Sequence, residues 1–419
     1  MINEASLAAV KGAFQGRLCA CPLYADYCFS NIPSAIASYF DDSVRSLLPS
    51  LCLPATEHRV ERVVSIFVDA MGWQSISEMD HPFLTRCAEE GIVSKLTSQF
   101  PSTTAAHVTS FSTGLPVGQN GVYEWWQYQP ELNDLIRPIM FSSRDAQDRR
   151  DDLDSFRLRP QDVFPNQSWL RNLRMQGVRI TTLMPQGIVG SLTNRYLMRN
   201  TRRIGTSDFA EGARIATELE WTSRQIVHIY VDALDAAGHK AGPDSAAYRE
   251  TRNDILDTIE RLYVERADGR TLFLVFADHG QISVAPKDPA RNVVLDVEAS
   301  FLENMLHRSS RGDVLPPAGG MRDVFLHVQE PALDQCVEQL SSLLGERAVV
   351  TKTDHLIRNG LFGPAVSDEF RRRVGNVTIL PAPGLSLTWS SHAPNRLGFL
   401  GDHGGLTREE MEIPFLALV

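Results

Sequence analysis

Along the chain, short and almost unbroken apolar runs alternate with stretches in which apolar residues recur every three or four positions. Runs of the first kind occupy 62–68 (RVVSIFV), 92–99, 179–183, 225–231 and 271–276 (TLFLVF). They are rich in β-branched and aromatic residues and end at polar or glycine-containing turns, the pattern of strands buried on both faces. The second periodicity predicts helices over 73–90, 104–113, 208–220 and 244–265. Strands and helices in turn predict an α/β fold with a mainly parallel central sheet flanked by helices. One more apolar run, EIPFLAL, reads as a final strand.

Two stretches break the rhythm. Residues 119–175 are rich in aromatic, Pro, Arg and Asp residues and read as an excursion over the sheet. Residues 284–395 carry a small α/β pattern of their own: RDVFLHV, a helix near 331–345, then RAVVTKT. This segment is expected to be a small α/β cap inserted between two parts of one core, 1–283 and 396–419. Neither an internal repeat nor a low-complexity tract interrupts the pattern.

Composition narrows the class without choosing a function. With 419 residues, 43% hydrophobic and 22% charged, the chain is an ordinary globular protein, long enough for one large domain with insertions or for two. A net charge of −10 argues against a nucleic-acid polymer as partner. A small anionic substrate stays open, because bound cations can reverse the local field. The six cysteines are scattered, and Cys19 and Cys21 lack the spacing of a zinc knuckle, so all are read as reduced packing residues. The N-terminal stretch makes a poor signal peptide, and no apolar stretch is long enough to cross a bilayer. A cytoplasmic location with no membrane partner is the expectation, with homo-oligomerisation open.

The chemistry gathers at the ends of the predicted strands. The first ends at Asp69, the second leads to Thr103 and Thr104, the fourth to Asp232, Asp235 and His239, and the fifth to Asp278 and His279. His403 sits in a glycine-flanked turn before the last strand. Each signal alone has a bland explanation. A strand-terminal Asp often caps a helix, Asp-x-x-x-His can be an accident of helical spacing, and His403 could be a turn residue. In a parallel sheet, however, carboxyl ends share one edge, where ligands bind. Three Asp, three His and a hydroxyl meeting there form a ligand set for two cations such as zinc or manganese.

This series of motifs, spread over 62–418, resembles the alkaline phosphatase superfamily, most nearly its type I phosphodiesterase/nucleotide pyrophosphatase branch. FVDAMG looks like the branch's first Asp motif, and PSTTAAHVTSFSTGLPVGQNGV is similar to its nucleophile segment. Counting back from Thr113-Gly114 selects Thr104 rather than Thr103 as the nucleophile. LDAAGHKAGP resembles Asp-x-x-Gly-His-x-x-Gly-Pro and selects Asp235 rather than Asp232, while FADHG and GDHGG match the remaining metal motifs. The resemblance implies an alkaline-phosphatase-like core and two divalent ions, zinc or else manganese. One would be held by Asp69, Thr104, Asp278 and His279, the other by Asp235, His239 and His403. It also implies hydrolysis of a small phosphorylated substrate through a phosphothreonine intermediate.

The branch's nucleotide-selective members place a Phe after the nucleophile to stack on the base, where this chain has Ala105. Tyr123 and Trp126, in the Tyr123-Glu124-Trp125-Trp126 cluster, are candidates for a substitute stacking wall, against the alternative of a miniature core. His107, one helical turn after Thr104, could touch a substrate oxygen or pack its helix. Asp232 is expected behind the metal site as an acceptor orienting a ligand. The run containing Arg137, Arg144, Arg149 and Arg150 reads as a solvated face. Superfamily monoesterases carry an Arg close after the nucleophile; none is present here, which favours a phosphodiesterase. A phosphomonoesterase, a phosphonate hydrolase and a catalytically silent binding protein are the alternatives. EEMEIPFLAL also resembles the phosphoglycerate mutase relatives, but their Ser nucleophile and inserted transferase domain are absent.

Overall fold

A computed structural model of the protein describes residues 1–16, 18–55, 58–146, 149–390 and 397–419. The junction expected between 395 and 396 lies outside the described residues. The central sheet contains β1 (Arg62–Val68), β2 (Ile92–Thr97), β3 (Arg179–Pro185), β4 (Arg202–Thr206), β5 (Gln225–Val231), β6 (Thr271–Phe276) and β7 (Glu412–Leu418). Their spatial order is β2-β7-β6-β1-β5-β3-β4. Pairs β6–β1, β1–β5, β5–β3 and β3–β4 are parallel, and β7 runs antiparallel between β6 and β2. The sheet is therefore mainly parallel. All six residues of β6, and all of β1 except Arg62, are buried. Each buried Val, Leu, Ile or Phe contributes about 1.5–3 kcal/mol relative to exposure.

The flanking helices include α1 (Pro82–Glu90), α2 (Thr104–Thr113), α3 (Phe209–Glu218), α4 (Ala233–Ala241) and α5 (Ala246–Arg266). One expected helix differs in the structure. The helix expected over 73–90 is only a short turn at Trp73–Ser75 followed by α1. Pro82 stands at the first helical position, and the His81 ring accepts the Phe83 N–H at 3.2 Å, so the helix begins there. The helix expected over 244–265 is present as α5, and an unpredicted helix, α4, precedes it and ends where Gly242 adopts φ +88 before Pro243. Edge strand β4, RRIGT, was not foreseen because it is half-polar and only partly buried.

Within 284–395, strands Ala318–Gly319, Val324–Leu326, Val377–Pro381 and Ala348–Lys352 form an antiparallel sheet in that order, beside a helix at Leu333–Leu344. Leu302, Leu306, Leu326, Leu340 and Ile379 share a local core there. Phe325, Phe362 and Phe370 instead join the main core, where Phe325 and Phe362 meet Phe100. Within 119–175, residues Gln127–Gln129, Asp134–Arg137 and Ser142–Ser143 form a small sheet. Ile136, Phe141 and Leu153 pack there over Ala105 of α2. All six cysteines are free, five of them buried. Among the described residues, no helix is long and apolar enough to cross a membrane.

Candidate active site

Asp69 follows β1 directly, and the next residue, Ala70, is held in the left-handed region at φ 60. That backbone turns the Ala70 N–H onto Asp278 Oδ1 at 3.1 Å, and the same oxygen accepts the His279 N–H at 2.9 Å. The turns after β1 and β6 touch backbone to backbone. A Cβ on Gly280 would lie 2.8 Å from Gly72 Cα, so only glycine permits the approach that brings Asp69 and Asp278 together. Asp235 and His239, four residues apart on α4, share a face, with His239 Nε2 3.3 Å from Asp235 Oδ1. Thr104 opens α2, and the N-cap residue Thr103 makes no side-chain capping bond.

Two clusters result. Asp69, Asp278 and His279 are buried, whereas Asp235, His239 and His403 are half-buried; in each cluster the candidate ligand atoms lie within 4.8 Å of one another. Thr104 Oγ1 lies 3.3 and 3.4 Å from the Asp69 oxygens and 3.2 Å from His279 Nε2. His403 Nε2 is 3.7 Å from Asp235 Oδ1, and its ring stacks on that of His279 with centroids 3.8 Å apart, which joins the clusters.

The three imidazoles are oriented alike. Nδ1 of His279, His239 and His403 lies 3.1, 2.8 and 3.0 Å from the carbonyl oxygens of Gly280, Gly401 and Ser102. A carbonyl can only accept, so each Nδ1 carries the hydrogen and each Nε2 offers its lone pair. Burial, then the charges of Asp278 and Asp235, push the Asp69 carboxyl well above the usual range. Burial likewise raises Asp278 and pushes His279 well below its ordinary value. The buried Asp278 Oδ2 has no hydrogen-bond partner among the described residues. An acceptor left without a donor among three carboxylates and three imidazole lone pairs suits cations, and the mixed N/O set fits zinc or manganese.

The structure brings Asp69, Thr104, Asp235, His239, Asp278, His279 and His403 to one edge of the sheet and separates the remaining candidates from them. Tyr123 is fully buried; its hydroxyl donates to the Arg373 carbonyl at 3.1 Å and its ring packs on Phe325 and Phe370, so it is no stacking wall. His107 is buried too. Its Nδ1 donates to the Thr103 carbonyl at 2.8 Å and its Nε2 accepts the Gln99 N–H at 3.0 Å, which makes it a brace for the chain before Thr104 rather than a substrate contact. Burial pushes its pKa down to about 3. Trp126 bridges to Gly319 and lies under the Arg137 guanidinium, 5.2 Å from its ring centroid. Its neighbour Trp125 instead lines a cavity of about 180 Å³ beside Thr104. Asp232 is exposed on that cavity's wall rather than buried behind a ligand.

Other site residues carried no sequence signal. Tyr230, on β5, donates its hydroxyl to Asp69 Oδ2. Gln281 Nε2 donates to Asp235 Oδ1 at 2.6 Å. Arg150 is exposed, as a solvated face implies, and also lines the cavity. A larger groove of about 550 Å³ beyond Gln281, lined by Asp244, Arg249 and Arg252, includes none of the seven clustered side chains.

A mainly parallel sheet of this order, with ionisable residues gathered at its carboxyl edge, is of alkaline-phosphatase type, and the protein is a phosphoric ester hydrolase. The chain belongs to the type I phosphodiesterase / nucleotide pyrophosphatase family, whose model matches residues 63–406. It shares its fold with murine ectonucleotide pyrophosphatase / phosphodiesterase 5, solved as an inactive threonine-to-alanine variant in complex with AMP. That pair has a TM-score of 0.64 at 15% identity, covering 86% of this chain and 88% of that one. The human counterpart gives 0.62 at 16% identity over 85% and 87%. Phosphonoacetate hydrolase from Sinorhizobium meliloti 1021, in complex with phosphonoacetate, gives 0.57 at 15% over 85% and 89%. No curated protein sequence matches the chain significantly.

Proposed function

We propose that the protein is a two-metal phosphodiesterase or nucleotide-pyrophosphatase-like hydrolase of a small metabolite, acting through a phosphothreonine at Thr104. The observation that carries this is the common orientation of His239, His279 and His403, each turning Nε2 toward the carboxylates beside Thr104. Asp69, Thr104, Asp278 and His279 would hold one divalent cation and Asp235, His239 and His403 the other, zinc first and manganese as the alternative. Bound there, the cations would neutralise the carboxylates, favour the Thr104 alkoxide and draw charge from the phosphoryl oxygens.

Thr104 Oγ1 attacks phosphorus. The new O–P bond forms as the ester P–O bond breaks, and Asp69 Oδ1, 3.3 Å away, accepts the hydroxyl proton. Tyr230 holds the Asp69 carboxylate in position. The first-turn N–H groups of α2 add positive potential toward the phosphoryl oxygens. Water then cleaves the Thr104–phosphoryl bond and restores the hydroxyl. The 119–175 excursion, which brings Trp125, Ile139 and Arg150 to the cavity, supplies surface that chooses the substrate, while 284–395 contributes none of the cavity's lining among the described residues. A second reading, a phosphomonoesterase or phosphonate hydrolase, gains from Arg150, which brings to the cavity a cation missing from the nucleophile segment.

Protein purified without chelator should carry about two divalent ions per chain. Thr104→Ala should abolish turnover of nitrophenyl and bis-nitrophenyl phosphate while retaining metal, and Thr103→Ala should stay active. Full activity without metal, or the two variants behaving the other way round, would refute the proposal.

A further inference from the structure

We propose that Arg150 selects substrates bearing a second anionic group, a carboxylate or a phosphate on a short chain, beside the phosphoryl group that Thr104 attacks. The inference rests on the hydrolase function above and names its substrate class. Arg150 lines the 180 Å³ cavity that also contains Thr104, Asp69 and Tyr230, and Ile139, Ile188 and Met198 contribute apolar wall.

Its chain neighbour Asp151 opposes the charge of this guanidinium but turns Oδ1 to the Leu192 N–H, 3.1 Å away, instead of pairing with it. Three other arginines of this region are engaged elsewhere: Arg144 lies 3.3 Å from Asp134 and 2.7 Å from Asp313, Arg137 covers Trp126, and Arg199 donates to Asn166 and Tyr196. Arg150 makes no ion pair or side-chain hydrogen bond among the described residues. Metal-bound carboxylates would leave it no partner at the reaction centre either. A guanidinium fork recognises carboxylate or phosphate through two parallel hydrogen bonds. Size limits the rest of the ligand. Cavities that enclose drug-sized molecules run to about 300–1,000 Å³, so one of 180 Å³ suits a short chain rather than a nucleoside.

The test compares ethyl phosphate, carboxymethyl phosphate and 2-phosphoethyl phosphate, with AMP as a bulky control. Such monoesters are products of a diesterase and substrates of a phosphatase, so either activity binds them. Calorimetry on zinc-loaded Thr104→Ala protein should show the two doubly anionic esters binding about ten- to hundredfold tighter than ethyl phosphate. AMP should gain no such advantage. Adding Arg150→Gln should remove the preference and Arg150→Lys should keep part of it. The same ranking should appear when the compounds inhibit bis-nitrophenyl phosphate turnover by wild type and by Arg150→Gln. Equal affinities for the three esters, or a preference that survives Arg150→Gln, overturn the inference. A preference for carboxymethyl over 2-phosphoethyl phosphate, or the reverse, identifies the second group. If the preference appears but wild type turns over neither these monoesters nor bis-nitrophenyl phosphate, the hydrolase reading fails while the role of Arg150 stands.

Discussion

At the scale of single residues, two adjacent tryptophans divide their work. Trp125 faces the cavity beside Thr104, whereas the Trp126 backbone pairs with Gly319 and its ring lies under the Arg137 guanidinium. Truncating an aromatic that touches substrate costs on the order of 1–3 kcal/mol in transition-state binding, a ten- to hundredfold loss of specificity constant. Trp125→Ala should therefore depress kcat/KM for bis-nitrophenyl phosphate by about that factor and largely spare nitrophenyl phosphate. Trp126→Ala should lower thermal stability instead. Equal losses on both esters in the Trp125 variant would make that residue structural. Ala105 has no part in this division. It is fully buried under Ile136 and Phe141, so a larger ring there would meet the excursion rather than a ligand.

At the scale of elements, α4 delivers Asp235 and His239 with the right spacing but does not fix their direction. Gln281, from the turn after β6, donates to both the side chain and the backbone carbonyl of Asp235, at 2.6 and 3.2 Å. The Gln281 side chain lies directly over Gly238, where an added Cβ would approach its Cδ to 2.7 Å. Gly238→Ala thus tests orientation separately from helix formation. Intrinsic propensity favours alanine in the helix by about 1 kcal/mol. Displacing Gln281 should nevertheless weaken zinc binding roughly ten- to hundredfold, as loss of a group that orients a ligand does. Competition with a chromophoric chelator measures this; an unchanged zinc affinity would remove Gln281 from the site.

At the scale of the whole molecule, the 284–395 segment does more than overhang the sheet. Its Arg322 is buried and pairs with buried Glu410, with Nε–Oε1 at 3.0 Å and Nη2–Oε2 at 3.2 Å. Glu410 in turn accepts the N–H groups of Gly405 and Thr407, at 3.0 and 3.2 Å, and so fixes the loop that follows His403. Removing one partner of a buried pair leaves an uncompensated charge, which costs about 3–5 kcal/mol. Arg322→Met should lower stability by that amount in urea unfolding and also weaken zinc binding through His403. Replacing Glu410 as well, by Gln, should recover part of the stability. A stable Arg322→Met protein would show that the segment does not support the metal edge.

The sequence by itself determined the strand-and-helix alternation and the edge at which the polar residues gather. Stretches such as RVVSIFV and TLFLVF have little alternative to burial on both faces, and whatever follows them in a parallel sheet emerges at one edge. Those constraints are local, so residue order suffices. The start of α5 was also written locally, since Gly242-Pro243 ends α4 just ahead of the helix expected from 244. Tertiary packing alone sets Trp125 rather than Trp126 on the cavity, makes Tyr123 core, brings exposed Arg150 to the cavity wall and joins Tyr230 to Asp69. Each of these depends on packing against residues far away in the chain: Arg373 for Tyr123, Gly319 for Trp126, and Asp69 for Tyr230. An excursion without a strand's strict alternation leaves its side-chain directions unset, so its faces are chosen by what it packs upon.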